Sequence, residues 1–194
     1  AFRDKRYGIW NEITYGEFWT QVQYIGCALN YFGIEKTDKV AIHSENRPEW
    51  LIADIGVQAI GGISVGLYPT NPPAEVQYLL SHSESKILFA EDQEQVDKAL
   101  EVLDDVPNLS KIIYFEEKGL FRYDSEKLMR WDEFLEIGKQ EYENNKDFVN
   151  FRLDEIKSED VALMIYTSGT TGPPKASMLS HGNMEWTASI IPEI

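Results

Sequence analysis

Short apolar runs alternate along this chain with segments of helical periodicity, and that alternation restricts it to few architectures. Thr14-Tyr-Gly-Glu17 has the form of a capping box. Phe18, Val22, Ile25, Leu29 and Phe32 then recur at helical spacing until Gly33 ends the helix. Lys39 to His43 reads as a strand. Asn46 and Pro48 are start signals for a helix through Ile60, which the Gly61-Gly62 pair ends. Ile63 to Tyr68 reads as a buried strand, and Pro69-Thr-Asn-Pro-Pro73 as a turn into a helix reaching His82. A strand at Lys86–Ala90, a helix at Gln93–Leu103 and a strand at Lys111–Phe115 continue the series. The segment from Glu116 to Asp160 is acidic and less regular, with one modest helix at Asp132–Gly138, and is expected to wrap the surface. Strands of about five residues between helices of about ten or more predict an α/β fold, a mostly parallel sheet with helices on both faces.

In such folds ligands sit beyond the carboxyl ends of the strands. The apolar run Val161 to Tyr166 ends at such a place, in Tyr166-Thr-Ser-Gly-Thr-Thr-Gly-Pro-Pro-Lys175. Hydroxyls and free backbone N–H groups offer a concave set of donors, glycines admit close approach, and lysine adds charge. That combination suits a polyphosphate, so the stretch reads as an ATP-phosphate loop. The plainer reading, a solvated surface loop, leaves unexplained the preceding strand, the terminal lysine and the apolar Met178-Leu179 that follows. It is not a Walker A motif, because Pro173 and Pro174 separate Gly172 from Lys175 and Ala176 follows the lysine.

A formal net charge of -15 excludes a nucleic-acid partner as the natural reading, since phosphate backbones are held by clustered Lys and Arg. It also makes an anionic nucleotide an awkward guest without a divalent cation, so Mg²⁺ is expected beside ATP. The single Cys27 falls among apolar neighbours on a helix and reads as a core filler. It suits a reducing, cytoplasmic compartment, with association at the periphery of a membrane left open. No run has membrane-span length without polar interruption. The chain opens on Ala1 and stops at Ile194 soon after its best motif, and is expected to be a piece of something longer.

Other motifs carry less. Gly62-Ile-Ser-Val-Gly66 matches the G-x-S-x-G nucleophile elbow, but that elbow needs a strand before the serine and a helix after it, and here the order is reversed. Ser64 is expected to be a small residue inside a sheet. His43, His82 and His181 lack the spacing of a zinc site. Structural roles are expected for the first two. His181 is a candidate for lining the phosphate cleft, against the alternative of a cap on the helix after it. Asn108-Leu-Ser110 matches a glycosylation acceptor by chance, and Glu91-Asp-Gln-Glu94 reads as a solvated helix start.

Together, Tyr166-Thr-Ser-Gly-Thr-Thr-Gly-Pro-Pro-Lys175 and Met178-Leu-Ser-His181 resemble the adenylate-forming enzymes, and within them the long-chain acyl-CoA synthetases. Supporting blocks are Thr14-Tyr-Gly-Glu17, Asp38-Lys-Val-Ala-Ile42, Glu45-Asn-Arg-Pro-Glu-Trp50, Ala59-Ile-Gly-Gly-Ile-Ser-Val-Gly66 and Tyr68-Pro-Thr-Asn71. The resemblance implies that residues 1–194 are an incomplete N-terminal AMP-binding (adenylation) domain, with the C-terminal domain absent. It implies a two-step reaction in which ATP and a fatty acid give acyl-adenylate and pyrophosphate, and CoA then displaces AMP. By analogy Ser168, Thr170 and Thr171 would bond the β- and γ-phosphates, and Gly169 and Gly172 would admit them closely. Thr167 would help hold Mg²⁺, and Lys175 would lie near the polyphosphate. The main catalytic lysine, the adenine- and ribose-binding segments and the hinge would follow Ile194, so these residues alone are expected to be inactive. Related readings are an acyl-AMP ligase, another adenylation domain, or a non-catalytic nucleotide-binding module. The last draws on Ala176, where the family usually has glycine: a position needing φ > 0 would be strained by the methyl group. Acyl chain length and oligomeric state are left open.

Overall fold

The computed structural model describes residues 1–6, 8–167 and 172–190, with the backbone but not the side chains of Asp4 and Arg6. The described elements run in the order β1 (Phe2–Arg6), β2 (Ile9–Ile13), α1 (Tyr15–Tyr31), β3 (Lys39–His43), α2 (Pro48–Ala59), β4 (Ile63–Leu67), α3 (Pro73–Ser83) and β5 (Ile87–Ala90). They continue with α4 (Gln93–Glu101), a 3-10 turn (Leu103–Asp105), β6 (Lys111–Tyr114), β7 (Leu128–Arg130), α5 (Trp131–Asn144), α6 (Phe148–Asp154), β8 (Val161–Thr167), β9 (Lys175–Ser180) and α7 (His181–Ser189). No helix among the described residues is long and apolar enough to cross a membrane.

Seven strands form one sheet in the order β7-β6-β5-β3-β4-β8-β9, parallel throughout except for the antiparallel pair β8–β9. The five-residue apolar runs become its centre because a parallel strand is covered on both faces and must be apolar on both. Val40, Ile42, Ile87, Phe89 and Ile113 point to one layer with α1, α2, α5 and α6; Ala41, Val65, Leu88, Ile112 and Met164 point to the other with α3 and α4. Ser64 lies fully buried within β4, its hydroxyl donating to the Asp54 carbonyl at 3.3 Å, and no helix follows it. Cys27 is buried, and burial pushes its thiol up to about 11.

The capping box forms as written: the Glu17 amide donates to Thr14 Oγ1 at 3.2 Å, and the Thr14 amide donates to Glu17 Oε2 at 2.8 Å. Where α1 and α2 cross, a Cβ on Gly56 would stand 2.4 Å from Ile25 Cγ2, so only glycine permits that approach. The hairpin β1–β2, which the periodicity does not announce, pairs in register from Phe2↔Ile13 to Arg6↔Ile9 and rests on α1 through the Phe2–Phe18 ring contact.

The segment after Glu116 departs from its expected surface path. It contains a sheet strand, β7, and a fourteen-residue helix, α5, which lies along α1 and buries Phe134 against Phe32 and Phe89. Gly138 is interior to that helix rather than its end: a Cβ there would lie 1.9 Å from the Tyr24 carbonyl oxygen, the point where α5 crosses α1. Val149 of α6 reaches the same core.

Candidate functional site: the carboxyl rim of the sheet

Chain order and spatial order diverge at β3. The chain goes from β3 to β4 on one side through α2, then from β4 to β5 on the other side of β3 through α3. The loops leaving β3 and β4 therefore depart towards opposite faces, and a crevice opens between them, the usual ligand position in open α/β sheets. It is a cavity of about 370 Å³, walled by Trp50, Tyr68 and Pro69, with Gly66, Leu163 and Ile165 beneath and Ser44, Glu45 and Asn46 at its edge. Trp50 lies beside Gly66 of β4, its Cζ2 4.0 Å from where a Cβ would stand, an ordinary contact distance.

The phosphate-loop candidates begin at this rim. β8 runs parallel to β4 with Gly66 opposite Ile165, which carries Thr167 to the level of Tyr68. Thr167 pairs with Lys175 across the antiparallel β8–β9 ladder. The structure thus brings the first and last residues of the candidate loop side by side, both exposed. Gly172 has φ +90 with open space around it, a conformation glycine adopts without strain. Ser168, Gly169, Thr170 and Thr171 lie outside the described residues. Ala176 sits in β9 opposite Tyr166 and is not among the residues with positive φ, so the feared strain of a methyl group is absent.

Both ends of the loop are tied to α3. The Tyr78 hydroxyl donates to the Pro174 carbonyl at 3.0 Å, and His82 Nδ1 shares a hydrogen bond of 2.8 Å with the Tyr166 hydroxyl. Tyr166 is otherwise buried, and burial, with Tyr78 nearby, lifts its phenol to about 12. Neither tyrosine nor His82 stands out in the sequence as a site residue; the i, i+4 spacing of Tyr78 and His82 acquires meaning only once β8 and β9 are placed beneath it.

His181 is not brought to this rim. β9 runs back along β8, ending with Ser180 opposite Val161, and the His181 amide donates to the Asp160 carbonyl at 3.0 Å. A return over six strand residues carries the chain about 20 Å to the other end of the sheet. There His181 opens α7, whose cap is Ser180: its hydroxyl accepts from the Asn183 amide at 3.2 Å. Its Nε2 is buried beside Trp19, Gln58 and Glu185 without a partner among the described residues, and burial holds its pKa below the ordinary value.

One further rim feature differs from the sequence reading. Glu91 is not a solvated helix start; it accepts from the Glu45 amide at 2.6 Å and the Ser44 hydroxyl at 3.2 Å, holding the loop after β3, while Asp92 caps α4. Arg47 reaches Glu49 at 2.8 Å, Glu116 at 2.9 Å and Glu91 at 3.8 Å, with its guanidinium 5.2 Å from the Phe115 ring centre. His43 is fully buried; its Nε2 donates to the Tyr68 carbonyl at 3.1 Å, and burial holds its pKa down to about 4.

Comparison with known proteins agrees with this arrangement. The chain is 34% identical over 193 residues to Long-chain-fatty-acid–CoA ligase ACSBG2 of Xenopus laevis, covering 97% of this chain and 25% of the relative. It is 32% identical over 184 residues to Long-chain-fatty-acid–CoA ligase ACSBG1 of Bos taurus, covering 95% and 25%. The chain therefore spans about a quarter of the length of these curated relatives. Its fold is shared with the crystal structure of the anthranilate CoA ligase AuaEII in complex with anthranoyl-AMP, with a TM-score of 0.71 and 23% identity over 93% of this chain and 32% of that one. With a match to the AMP-binding enzymes over residues 1–192, the chain belongs to the AMP-binding enzyme family.

Proposed function

We propose that residues 1–194 are the N-terminal part of an adenylation domain that activates long-chain fatty acids. The carboxylate of the acid attacks the α-phosphate of ATP, giving acyl-adenylate and pyrophosphate; the CoA thiol then displaces AMP. The observation that carries this reading is the pairing of Thr167 with Lys175 at the sheet's carboxyl rim, closing a segment of Ser, Thr and Gly. Attack at the α-phosphate drives negative charge onto the departing pyrophosphate, and donors already in place stabilise that charge as it develops. In this proposal Ser168, Thr170 and Thr171 bond the β- and γ-phosphates, Gly169 and Gly172 admit them, and Lys175 adds its charge.

The described residues contain no group of three or more His, Cys, Asp or Glu that could hold a metal by themselves. Mg²⁺ beside ATP would keep several waters and need few protein ligands alongside the phosphate oxygens. Thr167 offers a hydroxyl oxygen of the right hardness. When bound, Mg²⁺ supplies charge neutralisation at the polyphosphate. The relatives' printed names support a long-chain fatty acid and CoA as co-substrates.

The test is fatty-acid-dependent ATP–pyrophosphate exchange by the full-length polypeptide, with Lys175→Ala alongside. Exchange is expected for wild type. The variant is expected to lose at least about tenfold in kcat/KM for ATP while changing stability by less than about 0.5 kcal/mol, as befits an exposed side chain. Absence of exchange with every fatty acid would remove the long-chain assignment, and global unfolding of the variant would mean the lysine supports the fold instead.

A further inference from the structure

We infer that Tyr78 and His82 of α3 are positioning residues for the phosphate loop, bracing its two ends against one helix face; this rests on the functional reading above. The loop leaves the sheet after Thr167 and returns at Lys175, and the residue next to each end, Tyr166 and Pro174, carries a polar group outside the β8–β9 ladder. The Tyr166 hydroxyl ends a buried side chain of β8, and the Pro174 carbonyl lies just outside β9. Tyr78 and His82 stand one turn apart on α3, so they face the same way. The Tyr78 hydroxyl takes the Pro174 carbonyl at 3.0 Å, and His82 Nδ1 takes the Tyr166 hydroxyl at 2.8 Å. The rings also touch in sequence, Tyr78 to His82 at 5.4 Å and His82 to Tyr166 at 5.7 Å between centres.

The chemistry of the loop explains why such a brace matters. Pro173 and Pro174 have no N–H to give, so the returning limb cannot be fixed by donors of its own backbone until Lys175. A side-chain donor from outside is the remaining means of holding it. The β8–β9 ladder sets Thr167 beside Lys175, and the two side-chain bonds hold that paired end against α3; preorganised donors act on a developing charge without having to reorganise. Neither Tyr78 nor His82 touches the phosphates in this reading; they act through Pro174 and Tyr166.

Two measurements test it. The first is hydrogen exchange of the full-length protein without nucleotide, comparing Tyr78→Phe, His82→Gln and His82→Asn. Asparagine places its amide where Nδ1 stands, whereas glutamine reaches only to the position of Nε2, so His82→Asn is expected to behave as wild type. Tyr78→Phe and His82→Gln are expected to speed exchange at residues 166–176 and to leave β3 and β4 unchanged. The second is the exchange kinetics with ATP, where those two variants are expected to raise KM for ATP about three- to tenfold with the fatty acid KM unchanged, the scale of one hydrogen bond. Equal behaviour of His82→Gln and His82→Asn would overturn the inference. So would faster exchange spread evenly over the sheet, or unchanged KM for ATP. If the wild-type protein exchanges no ATP at all, the proposed function fails, while the hydrogen-exchange arm still decides whether these residues brace the loop.

Discussion

His43 shows how one buried residue at the rim ties the site to pH. It lies at the end of β3, fully buried, with Nε2 donating to the Tyr68 carbonyl and Nδ1 without a partner. Burial disfavours the imidazolium and Lys98 adds to this, against smaller opposing effects of hydrogen bonding to the Tyr68 and Pro69 backbone and of Glu94, so the folded pKa is about 4 against an ordinary value of 6.5. The unfolded chain therefore binds a proton before the folded one does. Stability is complete above 6.5, falls as pH drops through the interval to about 4, and levels off below it. For this group alone the loss between about pH 7.5 and about pH 5 is about 2 kcal/mol. His43→Gln keeps a donor for Tyr68 and cannot titrate. Urea midpoints of the variant and wild type measured at both pH values are expected to differ in pH dependence by that amount; identical slopes would mean that His43 does not titrate as the burial requires. The sequence places His43 at a strand end and nothing more, because its burial is created by the Tyr68–Pro69 turn, which arrives from another strand.

At the scale of elements, the strands β3, β4, β5, β6 and β8 are legible in the sequence, β1, β2, β7 and β9 are not, and the helix α5 is only half so. Short apolar runs such as the four residues Ile87–Ala90 can hardly be anything but central parallel strands, since both faces are covered. α5 was expected to stop at Gly138, because glycine after an apolar residue usually marks a helix end. Here its lack of a Cβ serves packing instead: it lets α5 approach within van der Waals reach of the α1 backbone. The sequence could not distinguish the two uses, which differ only in what lies across the helix. The same limit misplaced His181, whose nearness to the loop in sequence is undone by the reversal of β9. Gly138→Ala therefore tests the packing. A helix interior ordinarily gains about 0.5–1 kcal/mol from this exchange. At this crossing the methyl would sit 1.9 Å from a backbone oxygen that cannot swing away, so a net loss of about 1–3 kcal/mol is expected. Thermal unfolding of the variant checks it, and a rise in midpoint would show that the two helices can separate freely.

For the molecule as a whole, the rim is assembled from loops that leave different strands, and Arg47 fastens three of them. It sits in the turn after β3, reaches Glu91 after β5 and Glu116 after β6, and pairs with Glu49 at the start of α2. Its side chain is 12% exposed, with Glu49 at 15% and Glu91 at 22%, so this is a partly desolvated cluster and not a surface pair. The sequence block Glu45-Asn-Arg-Pro-Glu-Trp50 announces a helix start, but the partners are 44 and 69 positions away from Arg47 for Glu91 and Glu116 and carry no signal of their own. Arg47→Met keeps the stem over Phe115 and removes the charge, leaving carboxylates gathered around an empty centre. Losing charged hydrogen bonds of this kind is expected to cost about 1.5–3 kcal/mol at neutral pH. The remaining carboxylates repel one another, and salt screens that repulsion as it screens the pairs in wild type; the gap between variant and wild type is therefore expected to narrow as ionic strength rises. Urea denaturation at neutral pH in low and in high salt measures both. A gap that stays constant with added salt would place the loss in packing against Phe115, and no gap at all would mean that the three loops hold their positions without the arginine.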